Sequence, residues 1–142
     1  MTIKTYLGFD VGTKRTGIAI ANSLTSHASG IETVIHHKDG STNWSQLEKL
    51  INKHQADIFV VGLPLDDKGK DQEMTFIARS FGRKLEQRFS KEVVFIDEYL
   101  SSSEAKNQLK WHYAHKNADR ADVDMRSAEL ILQTWLNETR HD

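Results

Sequence analysis

The sequence predicts an α/β protein built on a mixed five-stranded sheet, with three antiparallel strands followed by two parallel strands and helices on both faces. Two observations predict this fold. Residues 3–36 hold three strand-like segments joined by short links. After them the hydrophobic pattern changes to a helical period of about 3.6, and helix-like segments alternate with short apolar runs. Because crossovers of this kind are right-handed, we expect the two later strands to lie parallel to the first.

The composition limits the class of protein. We expect one domain over residues 1–138 and a tail over 139–142. No apolar run of about 18 residues predicts a membrane span, and the N-terminus lacks the pattern of a secretory signal. The chain has no cysteine, which excludes disulfides and fits the reducing cytoplasm, where we place the protein. A net charge of −1 argues against bulk electrostatic binding of nucleic acid, so a polyanion would be held by local basic groups.

The first three strands are predicted from apolar or alternating segments. The first covers 3–10, where Gly8 allows close approach of another backbone near the tip. The second covers 16–21, and the third covers 31–36, where apolar and polar residues alternate. The short links between them predict an antiparallel meander.

Helices and strands alternate in the remainder of the chain. Asn43 is predicted to cap a helix that starts at Trp44. The later predicted elements are a buried strand at 57–63 ended by Pro64, a helix with apolar positions over 74–85, a strand at 92–97, a helix after a capping-box pattern at 101–104, and a last helix with an apolar face over 128–135.

One carboxylate stands at the tip of the first strand. Asp10 ends this strand, and the tight turn after it carries Lys14 and Arg15 between Gly12 and Gly17. Ligands and metals in α/β proteins bind at the carboxyl ends of strands. We therefore expect Asp10 to form one wall of a metal-dependent phosphodiester site, with the basic pair holding a polyanion.

Two other segments supply acids that can reach the same edge. The strand at 92–97 leads into Asp97 and Glu98, and either residue arrives beside Asp10 if that strand is parallel to the first. Asp124 lies four residues before Ala128, on the apolar face of the last helix, where a carboxylate is costly unless paired or metal-bound. Three such acids satisfy the preference of Mg²⁺ for oxygen ligands.

Two ions about 3.5–4 Å apart can activate the attacking water and stabilise the leaving oxygen. In this arrangement Asp10 bridges both ions, and the acid of the later strand and Asp124 each hold one. Each residue also has a structural interpretation. Asp10 would be a turn residue, Asp124 a solvated acid in the first helical turn, and Lys14 with Arg15 an ordinary hairpin tip.

Four segments, in this order, resemble the YqgF family of the RNase H-like fold, the pre-16S rRNA nucleases also described as Holliday junction resolvases. They are 9–19 (FDVGTKRTGIA), similar to the family's D-x-G-x-K-R-x-G-x-A pattern; 61–65 (VGLPL), similar to its G-L-P-L loop; 97–105 (DEYLSSSEA), similar to its D-E-R-L-(S/T)-T-x-x-A segment; and 123–133 (VDMRSAELILQ), similar to its last helix. The resemblance covers nearly the whole chain.

The resemblance implies an RNase H-like sheet and selects Glu98 over Asp97. By match of position it implies three catalytic, metal-ligating acids, Asp10, Glu98 and Asp124. We expect these acids to hold Mg²⁺ or Mn²⁺, and Lys14 and Arg15 to contact the phosphates of a nucleic acid. The sequence departs from the family pattern at a position expected to contact the substrate and at a position in the last helix. Tyr99 stands where the family has an arginine, which removes a phosphate contact, and Glu129 replaces a small or apolar residue.

The resemblance also implies a function, namely a nuclease that trims the 5′ end of the pre-16S rRNA, with a ribosomal particle as a further partner. The residues themselves predict only metal-assisted phosphodiester hydrolysis. One alternative is a Holliday junction resolvase acting on branched DNA, which needs a dimer; the sequence predicts a monomer or a weak homodimer.

Two further alternatives come from other classes of protein. A non-catalytic RNA-binding ribosome-assembly factor would keep the fold without the chemistry. A nucleotide-binding ATPase is indicated by the likeness of residues 10–13 to the first phosphate loop of actin-like folds, but the chain has no room for the second domain such folds need.

Overall fold

The computed structural model describes residues 2–98 and 120–139. Within these ranges the chain forms, in order, β1 (Thr5–Val11), β2 (Arg15–Asn22), β3 (Ser29–Ile35), α1 (Trp44–His54), β4 (Ile58–Pro64), α2 (Glu73–Phe89), β5 (Glu92–Glu98) and α3 (Arg120–Thr139). The predicted order is confirmed for every element that falls in the described ranges. The helix predicted after the capping-box pattern at 101–104 lies outside them. The first strand begins two residues later than predicted, and Ile3 is 55% exposed.

The five strands form one mixed sheet with the order β3-β2-β1-β4-β5. β2 pairs antiparallel with both β1 and β3, whereas β4 pairs parallel with both β1 and β5. The predicted fold class is therefore confirmed. Since β1, β4 and β5 run in one direction, their C-terminal ends lie at the same edge of the sheet.

Alternation along the strands separates two cores, one on each face of the sheet. On the first face, Leu7, Phe9 and Val11 of β1 belong to a buried cluster with the apolar residues of α1 and α2. Phe9 is central to it, because its ring centroid lies 5.8 Å from that of Phe59 and 5.5 Å from that of Phe81. On the second face, the smaller cluster is formed mainly with α3.

The two helices of the first face begin at well-defined caps. Asn43 caps α1 as predicted, and its side chain accepts a hydrogen bond from the Gln46 backbone N–H at 3.3 Å. At the start of α2, the buried Thr75 hydroxyl donates to the Pro64 carbonyl oxygen. This contact attaches the N-terminus of α2 to the C-terminal tip of β4, at the edge where the parallel strands end.

α3 packs directly on the backbone of the other face because that face carries glycines. A Cβ at Gly17 would lie 2.0 Å from the Asp124 carbonyl oxygen, and one at Gly8 would lie 2.7 Å from Leu132 Cβ. Both distances are shorter than van der Waals contact allows. The predicted apolar stripe of α3 is confirmed, since Ala128 and Leu132 are fully buried.

Two polar side chains of α3 also hold the helix on the sheet. Glu129 Oε1 accepts a hydrogen bond from the Gly30 backbone N–H at 2.8 Å, and Gln133 Oε1 accepts one from the Ala28 N–H at 3.0 Å. The Glu129 departure from the family pattern therefore has a structural role in this chain. In the described ranges, no helix combines the length and apolar character that crossing a membrane requires.

We predict that Gly17→Ala destabilises the protein by about 1–3 kcal/mol, the usual cost of forcing extra volume into a packed site. The added methyl group meets helix backbone, which cannot rotate away as a side chain can. Urea unfolding of the variant measures the change. Ser45→Ala on the exposed side of α1 is the control and should stay within about 0.5 kcal/mol of the wild type. Equal stability of the Gly17 variant and the wild type would contradict the close contact.

Candidate active site

Asp10 lies near the C-terminal end of β1, half-buried, and its direct partner in the β1–β2 ladder is Gly17. Directly opposed residues project their side chains to the same face of a sheet. The missing side chain of Gly17 would point at α3. The Asp10 carboxylate therefore lies on the α3 side of the sheet, at the edge where the parallel strands end.

Asp124 lies in the second turn of α3, with its carbonyl oxygen over Gly17. Its side chain is 19% exposed, and its Oδ2 accepts a hydrogen bond from Arg15 Nε at 2.8 Å in an ion pair. The interpretation of Asp124 as a solvated first-turn acid is therefore wrong. The ion pair offsets part of the cost of placing this carboxylate against the sheet.

An open groove of about 450 Å³ joins the predicted residues. Asp10, Asp124 and the turn that carries Lys14 and Arg15 all line it. Its other wall comes from the tip of β4 and the start of α2, where Pro64, Gln72 and Met74 lie. Sequence periodicity assigned Met74 to the buried face of α2 and gave no signal for Gln72, because the groove depends on how the loop before α2 is placed.

The structure describes the third predicted acid, Glu98, through its backbone only. Glu98 ends β5 in register with Pro64, one of the groove residues. Val93 and Phe95 pack against the α1–α2 core, so alternation along β5 turns Asp97 towards that side of the sheet, away from α3. Among the side chains that the structure describes, no three of His, Cys, Asp or Glu are grouped closely enough to hold a metal ion.

The two basic residues of the turn differ in their environment. Arg15 is largely covered, with 26% of its side chain exposed, and is held by Asp124. Lys14 is exposed and lines the groove. The ion pair joins residues 109 positions apart, so no local sequence pattern could have identified it.

His36 was not singled out from the sequence, yet it attaches this turn to the rest of the fold. Its Nε2 lies 2.7 Å from the hydroxyl oxygen of the buried Thr16, and its Nδ1 accepts a hydrogen bond from the Asn43 N–H at 3.4 Å. Its backbone N–H donates to the Lys14 carbonyl oxygen at 2.9 Å. Burial lowers the pKa of His36, and the neighbouring His37 lowers it further. A neutral ring is the form that lets Nδ1 accept from Asn43.

We predict that Arg15 and Asp124 are coupled by about 1 kcal/mol in the free energy of unfolding, between the values for exposed and buried pairs. A double-mutant cycle with Arg15→Gln and Asp124→Asn measures this coupling, which should fall in 1 M NaCl. The matched control is the cycle of Arg79 and Asp71, a longer and more exposed pair at 3.3 Å, which should show weaker coupling. Zero coupling between Arg15 and Asp124 would contradict the ion pair.

Solved structures that resemble this chain share its fold. One is described as "Crystal structure of Fowlpox virus resolvase and substrate Holliday junction DNA complex", with a TM-score of 0.59, 11% sequence identity, and coverage of 95% of this chain and 98% of that chain. Another, "T. thermophilus RuvC in complex with Holliday junction substrate", has a TM-score of 0.57 and 11% identity, and covers 96% of each chain. At this identity the likeness establishes the RNase H-like fold.

The chain is much more similar in sequence to curated bacterial proteins that carry the name "Putative pre-16S rRNA nuclease" than to these solved structures. One from Aeromonas salmonicida (strain A449) is 43% identical over 138 residues, which are 97% of this chain and 98% of the relative. One from Yersinia pestis (strain Pestoides F) is 38% identical with the same coverage. The family model described as "RuvX: Holliday junction resolvase" matches residues 4–138. The chain therefore belongs to the RuvX family of Holliday junction resolvases, which is the YqgF family that its four motifs resemble.

Proposed function

We propose that the protein is a metal-dependent nuclease that hydrolyses phosphodiester bonds in the groove between the β1 tip, the turn that follows it and α3. The observation that carries this proposal is the placement of Asp10 and Asp124, from distant parts of the chain, on one open groove beside Lys14 and Arg15. A groove lined by both acids and cations suits a phosphodiester held next to a metal ion.

The residues of the groove fit a divalent cation. Carboxylate oxygens are the hard donors that Mg²⁺ and Mn²⁺ prefer, and Mg²⁺ keeps several waters, for which an open groove leaves space. Asp10, Asp124 and, by its place at the end of β5, Glu98 would hold the metal. When bound, the metal would polarise the phosphoryl group and lower the pKa of a bound water. The two-ion form, in which these acids would hold two such ions, is part of this proposal.

The chain's own residues would bind and orient the substrate. Lys14, which is exposed and lines the groove, would contact a backbone phosphate. Arg15 is held close to the acids by its pair with Asp124, so its remaining guanidinium donors would meet a phosphate at a fixed position. The chain's net charge of −1 makes such local cations the main electrostatic attraction to a nucleic acid.

For the substrate we propose the 5′ end of the pre-16S rRNA, with a ribosomal particle as a partner of a monomer or weak homodimer. The names of relatives 38–43% identical over almost the full length support this choice. A second candidate is the resolution of Holliday junctions, favoured by the description of the family model. It uses the same chemistry but requires two active sites, and hence a dimer, to cut two strands symmetrically.

We predict that Asp10→Asn lowers the cleavage rate by more than about 100-fold. Mutation of a residue that only orients a metal ligand costs up to about 100-fold in activity, and loss of a ligand itself should cost more. Labelled pre-16S 5′ leader and a four-way DNA junction would each be incubated with Mg²⁺, Mn²⁺ or EDTA. The matched control is Asp97→Asn, since Asp97 is exposed at the same edge of the sheet but lies on the face away from α3. Thermal unfolding should show that both variants are folded.

The outcomes of this experiment separate the candidate functions. Metal-dependent cleavage of the leader that is lost in Asp10→Asn but kept in Asp97→Asn supports the rRNA nuclease. Paired symmetric nicks in the junction support the resolvase. Full activity of Asp10→Asn would refute the proposed site, and binding without cleavage of either substrate would support the non-catalytic assembly factor.

We also predict that Lys14→Ala weakens binding of a single-stranded substrate and reduces the slope of log K against log salt by about 0.7, the contribution of one phosphate contact. Fluorescence anisotropy at several salt concentrations measures this slope. Lys53→Ala is the control, because Lys53 lies in the last turn of α1, at the opposite end of the sheet. An unchanged slope in the Lys14 variant would show that this residue contacts no phosphate.

A further inference from the structure

A second groove, of about 490 Å³, lies on the α2 side of the turn after β1. Val11, Gly12 and Thr13 line both this groove and the one that holds the acids. The two grooves are therefore adjacent, separated by a single turn of backbone. A nucleic-acid strand that leaves the first groove over this turn enters the second.

Phe76, which lines this second groove, is an aromatic residue that is exposed to solvent. Its side chain is 59% exposed, although the other apolar side chains of this helix are buried or half-buried. The Arg79 guanidinium lies 5.9 Å from the centre of its ring, and Arg79 in turn pairs with Asp71 at 3.3 Å. The phenyl ring is thus supported by its neighbours without being part of the core.

The walls and the charge of the groove fit an unpaired nucleobase with its phosphate. Ile77 and Phe81 supply further apolar surface, and the exposed Lys84 adds a cation about two helical turns beyond Phe76. Proteins that bind single strands combine exposed aromatic rings, on which bases stack, with basic residues that follow the backbone. A volume of about 490 Å³ is within the usual range of small-molecule sites.

We propose that this groove is a subsite for an unpaired base next to the scissile phosphate, with the base stacked on Phe76 and its phosphate held by Lys84. The identity of the strand rests on the proposed nuclease function. A base pair inside a duplex is stacked on both faces and cannot present one of them to an aromatic ring without opening, so the subsite selects single-stranded substrate beside the cut. Phe76 is a specificity-determining residue on this proposal and takes no part in the hydrolysis itself.

Binding measured in EDTA tests this subsite independently of cleavage. The probe is a single-stranded RNA of about 12 nucleotides with 2-aminopurine at successive positions, compared with the same sequence as a duplex. We expect wild-type protein to prefer the single strand and to change the fluorescence at one or two neighbouring positions. Phe76→Ala should lower single-strand affinity about 5- to 150-fold, leave duplex affinity unchanged and abolish the position-specific signal.

Two further variants make the result specific. Phe76→Trp keeps an aromatic face and should restore the signal. Leu24→Ala removes another exposed apolar side chain, 72% exposed and located after the far end of β2, and should bind as the wild type does. Because Phe76 is not buried in the core, its variants are expected to fold, which thermal unfolding would verify.

Several results would overturn the proposal. These are equal affinity of the wild type for single strand and duplex, an unchanged signal in Phe76→Ala, or an equal loss of affinity in Leu24→Ala. The test also separates this subsite from the proposed activity. Loss of the fluorescence signal in Phe76→Ala by a protein that cleaves nothing would support the subsite and refute the nuclease. Metal-dependent cleavage by a protein in which Phe76→Ala leaves the fluorescence signal unchanged would support the nuclease and refute the subsite.

Discussion

The contact between the backbone of α3 and Gly17 is the constraint on which the site depends. Gly17 stands directly opposite Asp10 in the β1–β2 ladder, and its lack of a side chain lets the Asp124 carbonyl oxygen lie over the strand. A larger residue would lift the start of α3 from the sheet and separate the two carboxylates. The second glycine of the D-x-G-x-K-R-x-G motif lies within β2, so it is the packing of α3 that requires it.

The same close packing places the Asp124 carboxylate at a half-buried position, where its negative charge must be compensated. Asp124 is only 19% exposed, and Arg15 offsets part of the cost of its burial. Glu129 and Gln133 satisfy backbone N–H groups at the edge of the sheet, and so hold α3 against β3 and the loop before it. These polar contacts add to the apolar interface in which α3 packs on Gly8 and Gly17. Together they fix the position of α3 along the sheet, and therefore the position of Asp124 relative to Asp10.

The turn after β1 connects the grooves on its two sides. Its backbone lines both grooves, and Lys14 and Arg15 line the first. His36 holds this segment at two points, the Lys14 carbonyl oxygen and the Thr16 hydroxyl, and it contacts the start of α1 through Asn43. On the proposed function, a segment fixed in this way would lose little conformational freedom when it binds a nucleic-acid backbone.

The sequence by itself determined the order of the described elements, the mixed sheet, the cap of α1 and the apolar stripe of α3, because each is encoded by local periodicity or by one capping residue. It also placed Asp10 at a strand tip and Asp124 on the helix face towards the sheet. Only the tertiary structure decided that Arg15 is paired with Asp124, that Asp97 lies on the face of the sheet away from α3, and that Met74 and Gln72 line the groove. The reason is physical: these features depend on the register and spacing of elements distant in the chain, and a local pattern carries no information on either.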